Sequence, residues 1–238
     1  MKAVGIIGYK KSGKTTLLVN LARELKKRGY KVSTIKHTAG SLDLPDTDTA
    51  KHKEYISEVA AISPYESIIS LKGEKKLEEI LSYINADFVL IEGFKNEKTF
   101  PKIVCLREEK ESAQLFDGLQ ICAAMFSPVN IKLDMPVFKI STDTGKIADL
   151  VCKKAFKLPN LNCGGCGYET CYELAKEIVK GKKSINECVS LNSPIKITVN
   201  GKSLALNPFV AKVIQGSLEG MLSPLKGFKK GKIEIKIK

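Results

Sequence analysis

The fold of this chain is decided by the stretch Ile6-Ile7-Gly8-Tyr9-Lys10-Lys11-Ser12-Gly13-Lys14-Thr15-Thr16. It contains the complete pattern G-x-x-x-x-G-K-T. An apolar run typical of a buried parallel strand precedes the pattern, and leucines at helical spacing follow it until Gly29. Strand, glycine loop and helix in this order form the context in which the pattern binds nucleotide phosphates. The stretch therefore predicts an α/β fold of the P-loop NTPase type.

Each fixed position of this pattern has a chemical reason. Gly8 and Gly13 allow the backbone N–H groups to converge on phosphate oxygens at the start of a helix. Lys14 is predicted to reach the β- and γ-phosphates as the catalytic residue, and the Thr15 hydroxyl to bind Mg²⁺. The alternative is a plain glycine turn between strand and helix. The predicted nucleotide-binding set is Gly8, Lys11, Ser12, Gly13, Lys14, Thr15 and Thr16.

The composition indicates an ordinary globular protein. The chain has 238 residues, of which 43% are hydrophobic, enough for one large domain and a smaller one. No apolar run reaches the ~20 residues of a membrane helix, and no signal-peptide pattern is present, so we expect a cytoplasmic protein and no membrane partner. Residues 153–238 hold sixteen lysines and six glutamates. Because few aromatics interleave these lysines, they favour a basic protein-facing surface over a nucleic-acid site.

Strand and helix patterns alternate after the loop, which predicts a doubly wound, mostly parallel sheet. One run, Phe88-Val89-Leu90-Ile91-Glu92, is a buried strand that ends in an acid, so Glu92 is the predicted second ligand of the Mg²⁺ shell. The Asn-Lys-x-Asp motif that reads guanine is missing, and the residues do not decide between GTP and ATP. The other predicted strands are 31–35, 66–71, 103–106, 120–126 and 136–140, and the predicted helices are 75–84 and 146–154.

An acidic loop follows the second predicted strand. It carries Asp43, Asp46, Asp48 and Thr49, at the edge of the sheet where strand ends line the nucleotide crevice. These residues are placed to sense Mg²⁺ or the γ-phosphate, as a switch region does. The alternative is that the acids only cap the next helix, which Asp48 could do alone.

Residues 1–156 resemble the molybdopterin-guanine dinucleotide biosynthesis protein B (MobB) family. The resemblance rests on the phosphate loop, on Ile35-Lys36-His37-Thr38 and on Glu92-Gly93-Phe94-Lys95 placed before Pro101-Lys102-Ile103. It implies GTP and Mg²⁺ binding, weak GTPase activity, a homodimer, and a role in attaching GMP to molybdopterin. The implied partner is a molybdopterin guanylyltransferase or a molybdoenzyme target. Two departures are Ala39-Gly40, where family members often have histidines, and Tyr9, where related dimeric ATPases carry a signature lysine.

Four cysteines form a separate module. Cys163, Cys166, Cys171 and Cys188 give the spacing C-x2-C-x4-C-x16-C on a glycine-rich loop, which is typical of a [4Fe–4S] cluster. Two T/S-x-x-E capping boxes, at Thr170 and Ser184, predict short helices beside the cysteines. The alternative is a structural zinc site, although the second C-x2-C knuckle is absent. The stretch is similar to the four-cysteine cluster domain of corrinoid iron–sulfur proteins. Three further thiols are expected in the core: Cys105, Cys122 and Cys152.

We therefore divide the chain into a nucleotide-binding domain (1–156), a cluster domain (157–192) and a small α+β tail (193–238). The tail is predicted to hold a hairpin turning at Asn200-Gly201, a helix from Asn207-Pro208 to Leu222, and a last strand over 233–237. The leading hypothesis is a GTP-binding accessory protein of molybdenum or tungsten cofactor maturation. The alternatives are a nucleotide-driven metallocluster or electron carrier, and a GTP-bound scaffold with a structural metal site.

Overall fold

A computed structural model describes residues 1–40, 42, 47–127, 132–199, 202–229 and 231–235. Its elements are, in chain order, β1 (Lys2–Gly8), α1 (Lys14–Lys27), β2 (Val32–Lys36), α2 (Asp48–Tyr55), β3 (Glu58–Ile62), β4 (Ser67–Leu71), α3 (Leu77–Ser82), β5 (Phe88–Glu92), β6 (Lys102–Cys105), α4 (Ser112–Leu115), β7 (Gln120–Met125), β8 (Val137–Lys139), α5 (Thr144–Lys154), α6 (Cys171–Val179), β9 (Ile197–Val199), β10 (Lys202–Leu204) and α7 (Pro208–Leu222). None of the described helices is long and apolar enough to cross a membrane.

The main sheet has six parallel strands in the order β2-β5-β1-β6-β7-β8. The strand order reverses at β1, which lies between β5 and β6. In a parallel sheet, the carboxyl ends of the strands on either side of such a reversal form a ligand crevice. The phosphate loop leaves β1 at this point. The predicted doubly wound sheet is confirmed.

Both faces of the sheet are covered by helices. On one face α1 packs with α5 through fully buried leucines, among them Leu17, Leu21 and Leu25. On the other face α3 inserts Leu77 and Leu81. Burying one such side chain contributes about 1.5–3 kcal/mol, so the helical spacing of the leucines after the phosphate loop fixes α1 against the sheet.

The segment between α2 and α3 differs from the prediction. The sequence predicts one strand over 66–71 in a strand-helix alternation, whereas the structure has an antiparallel hairpin, β3–β4, outside the main sheet. Ser63 N donates to the Glu66 carbonyl oxygen at 2.8 Å and closes the turn. An antiparallel pair needs only such a turn, while a parallel crossover needs a dozen or more residues. Because so little chain separates the two strands, they pair with each other.

The C-terminal region matches the predicted order of elements, except at its end. The hairpin β9–β10 and helix α7 are present, although residues 200–201 of the predicted turn lie outside the described residues. Asn207 caps α7 by accepting from Val210 N at 2.8 Å. The strand predicted over 233–237 is wrong for residues 233–235, which have no regular structure, and the remainder lies outside the described part. Ile233 and Ile235 are exposed, so no buried face holds an alternating strand there.

Candidate nucleotide site and cysteine module

The two predicted loop glycines are required by close packing. A Cβ on Gly8 would lie 2.3 Å from the Cys105 carbonyl oxygen and 2.5 Å from the Ser12 Oγ. A Cβ on Gly13 would lie 2.8 Å from the Phe126 ring, and Gly13 also has a left-handed φ of 90°. Any larger residue would force the loop open, so both glycines belong to the loop's structure.

The remaining loop residues offer donors to a phosphate. The Lys14 ammonium donates to the Tyr9 carbonyl oxygen at 2.7 Å. Ser12 Oγ is buried and has no hydrogen-bond partner among the described residues. Buried polar groups normally find partners, so this hydroxyl fits a loop that receives a ligand. Lys11, with a φ of 64°, and Thr16, in the first turn of α1, are exposed on the same loop.

The two predicted Mg²⁺ ligands are brought together. Glu92 ends β5 and is 7% exposed, and its two carboxylate oxygens each lie 3.1 Å from Thr15 Oγ1. The parallel register places Glu92 beside Ile6, just before the phosphate loop. Hydroxyl and carboxylate oxygens are the ligands that Mg²⁺ takes next to nucleotide phosphates. The donor set therefore fits Mg²⁺ with a nucleotide.

The structure describes only part of the acidic loop after β2. Asp43 and Asp46 lie outside the described residues. Asp48 is not the helix cap: the N-cap of α2 is Thr47, whose hydroxyl accepts from Ala50 N at 3.2 Å. A carboxylate one position later cannot fill the cap, and Asp48 instead pairs with Lys51 at 3.6 Å with its side chain 92% exposed. The switch role of Asp48 and Thr49 stays a prediction.

An open cleft of about 890 Å³ begins at the phosphate loop. Its wall includes Gly8, Lys14, His37, Lys75, Lys95 and Asn160. Asn160 belongs to the segment that leads to the cysteines, and its side-chain amide donates to the Glu78 carboxylate at 3.3 Å. The cleft therefore extends from the nucleotide site to the entrance of the cysteine module.

A group of charged residues beside this cleft was not predicted. Lys102 at the start of β6 is fully buried, and its ammonium lies 2.5 Å from Asp117 Oδ2 and 2.6 Å from the Lys95 carbonyl oxygen. Lys98 also pairs with Asp117, at 2.7 Å. Burial by itself raises the pKa of Asp117, but the hydrogen bonds from the two lysines outweigh it and hold this pKa below its usual range. The sequence did contain one signal for this group. Lys102 is the first residue of a strand whose other residues are all apolar, and a lysine is rarely buried unless it is paired.

Three of the four cysteines of the module contact one apolar cluster. Cys171 and Cys188 are buried in it, Cys166 packs against it, and Cys163 is half-buried on the same loop. Gly164 and Gly167 have left-handed φ values of 68° and 84°, which only glycine adopts without strain. The Gly167 N–H donates to the Gly164 carbonyl oxygen at 2.9 Å, so the loop between the first cysteines is a tight turn.

The predicted capping boxes hold the later cysteines in place. Thr170 accepts from Glu173 N at 3.3 Å, and Glu173 accepts from Thr170 N at 3.2 Å, which starts α6 at Cys171. Cys171 N also donates to Asn162 Oδ1 at 2.7 Å. The box at Ser184 forms in the same way and precedes Cys188. Both capping predictions are confirmed.

The surroundings of Cys188 fit an anionic cluster ligand. Burial raises the pKa of this thiol, the nearby backbone N–H groups of Leu191 and Ser190 oppose that shift, and Cys171 and Cys166 lie close enough to influence it. Backbone N–H groups near the ligand sulfurs are a feature of iron–sulfur sites. Within the described ranges, no three His, Cys, Asp or Glu side chains are close enough to share one metal ion. In a cubane each thiolate binds its own iron, so its ligands lie further apart.

The other three cysteines are not ligands of this group. Burial raises the pKa of Cys105 to about 12 and also raises the pKa of Cys122 strongly, so both are protonated thiols of the sheet. Cys152 packs against the same core but is only partly buried. The prediction of buried thiols holds for Cys105 and Cys122, whereas Cys152 lies at the margin of the core.

The cysteine module packs directly on the nucleotide domain. Leu119, which precedes β7, shares one hydrophobic cluster with Phe156, Leu158 and the buried cysteines. The hydroxyl of Tyr172, the residue after Cys171, donates to the Asp117 carbonyl oxygen. The predicted boundary near residue 156 therefore lies within a shared apolar interface.

Comparison with known proteins identifies the first of these units. Residues 3–127 match the family model described as molybdopterin guanine dinucleotide synthesis protein B, MobB. The chain belongs to the MobB family. Residues 158–190 match a second model, described as "Putative Fe-S cluster", and this stretch contains all four module cysteines. This chain is thus a MobB-family protein with an iron–sulfur family domain fused behind it.

Relatives of the MobB domain support this assignment. The chain is 34% identical over 248 residues to a Methanocaldococcus jannaschii protein described as "Putative molybdopterin-guanine dinucleotide biosynthesis adapter protein", covering 100% of this chain and 98% of that one. A solved MobB homologue from Bacillus stearothermophilus is similar with a TM-score of 0.50 and 26% identity, over 64% of this chain and 97% of the other. Bacillus subtilis MobB gives a TM-score of 0.54 at 20% identity over the same shares, which shows the fold alone.

Proposed function

We propose that this MobB-family protein binds GTP with Mg²⁺ at the phosphate loop and assists the formation or delivery of molybdopterin guanine dinucleotide. The observation that carries the proposal is the contact between Thr15 and Glu92 beside the phosphate loop, because it assembles an Mg²⁺-nucleotide site in a chain of this family. In this proposal Lys14 leaves the Tyr9 carbonyl oxygen for the phosphates, and Ser12 Oγ gains the partner that it lacks. The guanine preference comes from the family.

The same site should hydrolyse GTP only slowly by itself. An arginine that reaches the transferred phosphate supplies several orders of magnitude in rate. Arg107 lies near the loop, 5.6 Å from the Tyr9 ring, but its guanidinium is held by Glu111 at 2.5 Å. An arginine bound in this way does not reach a phosphate, so we propose a weak GTPase that works with a partner enzyme.

For the second module we propose one [4Fe–4S] cluster bound by Cys163, Cys166, Cys171 and Cys188. A bound cluster would supply one-electron chemistry. A second candidate function, a nucleotide-driven electron carrier, is favoured by the bond from Tyr172 to Asp117, because it joins the helix of Cys171 to the nucleotide domain. Thiolate ligands need a reducing compartment, so the proposed location is the cytoplasm.

We further propose that the protein is a homodimer formed through the β3–β4 hairpin. Ile62, Tyr65 and Ile69 are 85%, 96% and 75% exposed, and among the described strands β3 and β4 pair only with each other. An exposed apolar sheet with unpaired edges is a surface that a second copy can cover. The predicted family dimer needs such a surface.

Sedimentation tests this dimer. Ile69→Lys should shift the protein from dimer to monomer, because a charge would be buried in an apolar contact. Tyr83→Lys is the control, since Tyr83 is 69% exposed on the segment after α3 and should leave the dimer intact. A wild-type protein that sediments as a monomer at every concentration contradicts the proposal.

The cofactor role is tested by reconstitution. Purified guanylyltransferase, molybdopterin, Mg²⁺ and limiting GTP are mixed with and without this protein, and the guanine dinucleotide is measured by chromatography. We expect several-fold faster formation with the wild type and no gain with Lys14→Ala, because the variant cannot hold GTP for transfer. Equal stimulation by both proteins would show that nucleotide binding is irrelevant to the assistance.

A further inference from the structure

The turn directly after Glu92 has an unusual backbone. Gly93 and Phe94 both adopt left-handed conformations, with φ values of 90° and 49°. Glycine tolerates this, but for a bulky residue it is rare and costs free energy that other contacts must offset. The Phe94 ring packs against His37 at 4.6 Å between centroids, which holds the turn. A strained turn next to a ligand-binding acid indicates that the placement of the following residue matters.

That residue is Lys95, and the turn sends its side chain back over the phosphate loop. Its ammonium lies 4.3 Å from the centroid of the Tyr9 ring, while the Lys14 ammonium donates to the carbonyl oxygen of the same Tyr9. Both lysines line the same cleft. Two cations that line one cleft and contact the same loop residue repel each other, and an anion bound between them would turn this repulsion into attraction.

Lys95 is better suited to binding an anion than Arg107, the other cation that contacts the Tyr9 ring. Arg107 also faces the Tyr9 ring, but Glu111 holds its guanidinium. Among the described residues, Lys95 has no carboxylate partner in an ion pair, and its side chain is exposed to the cleft. Its charge is therefore available to a ligand.

The backbone of Lys95 is held in place by a buried lysine. Its carbonyl oxygen accepts from the buried Lys102 ammonium at 2.6 Å, and Asp117 compensates the charge of Lys102 at 2.5 Å. A fully buried lysine is costly unless it is paired, so this pair is a strong local constraint. Asp117 is also bound to the cysteine module, because the hydroxyl of Tyr172 in α6 donates to the Asp117 carbonyl oxygen.

We propose that Lys95 is a second phosphate-contacting cation, which binds the terminal phosphate of the bound nucleoside triphosphate. Lys95 thus provides a positive charge beside Tyr9 from the same chain. Asp117 is a positioning residue, because it pairs with Lys102, which in turn holds the Lys95 carbonyl oxygen. This inference rests on the proposed nucleotide binding at the phosphate loop.

The test compares GTP with GDP on the full chain with Mg²⁺, by calorimetry. Lys95→Ala should weaken GTP binding about 10-fold by removing a charge-assisted contact, and should leave GDP binding within about twofold. Lys95→Arg should keep most of the GTP affinity. Lys75→Ala, which removes the same charge elsewhere in the cleft, should not change the ratio of GTP to GDP affinity. Asp117→Asn should lower that ratio, which a purely structural role would not do.

The outcomes separate the two proposals. If Lys14→Ala loses GTP and Lys95→Ala does not, the inference about Lys95 is wrong and the proposed function stands. Equal losses of GTP and GDP in Lys95→Ala would also overturn it, because the contact would not involve the terminal phosphate. If the wild type binds neither GTP nor ATP, both proposals fail.

Discussion

A Cys188→Ser variant, purified without oxygen, is expected to lose its iron and its acid-labile sulfide, while the wild type carries four of each per chain. Cys188 is 4% exposed and lies in the apolar cluster that also holds Cys171. A serine hydroxyl there is a poor iron ligand, because iron–sulfur clusters are held by cysteine thiolates. Iron and sulfide analysis with the visible absorption spectrum measures the effect.

The matched control is Cys152→Ser, which changes a partly buried cysteine outside the module. It should retain the full iron content. A wild-type protein that holds stoichiometric zinc and no sulfide would show that the module is a structural zinc site. The electron-carrier function would then fail as well, because zinc has no redox chemistry.

Lys14→Ala should weaken Mg²⁺-GTP binding by about 100- to 20,000-fold. The lysine would contact two phosphates, each charge-assisted contact is worth about 1.5–3 kcal/mol, and about 1.4 kcal/mol corresponds to a factor of ten. Lys10→Ala is the control, since it removes the same charge from an exposed neighbouring position of the loop. Calorimetry measures both affinities. Unchanged GTP binding in Lys14→Ala would place the nucleotide elsewhere, and ATP bound as tightly as GTP would remove the guanine preference.

Local patterns in the sequence were sufficient for much of the molecule. The eight-position loop between an apolar strand and a leucine-patterned helix predicted the sheet and its crevice, because each step depends on neighbours within one strand-loop-helix unit. The acid at the end of β5 was predicted as a second Mg²⁺ ligand beside the Thr15 hydroxyl, and the structure brings Glu92 to 3.1 Å from Thr15 Oγ1. The caps at Thr170 and Ser184 were found for the same reason, since a capping box spans four residues.

Contacts between residues far apart in the sequence were decided by the tertiary structure. Lys102 meets Asp117 across 15 residues of chain, and Tyr172 meets Asp117 across 55, so no local pattern could pair them. The left-handed turn at Phe94 that sends Lys95 back to Tyr9 has no sequence signal, because phenylalanine rarely adopts it. The sequence alone determined the phosphate loop, the two residues predicted to bind Mg²⁺ and the cysteine spacing. Only the packing of distant segments placed the second lysine at the loop and the cysteine module against the nucleotide domain, since those contacts become favourable only once the sheet has brought their residues together.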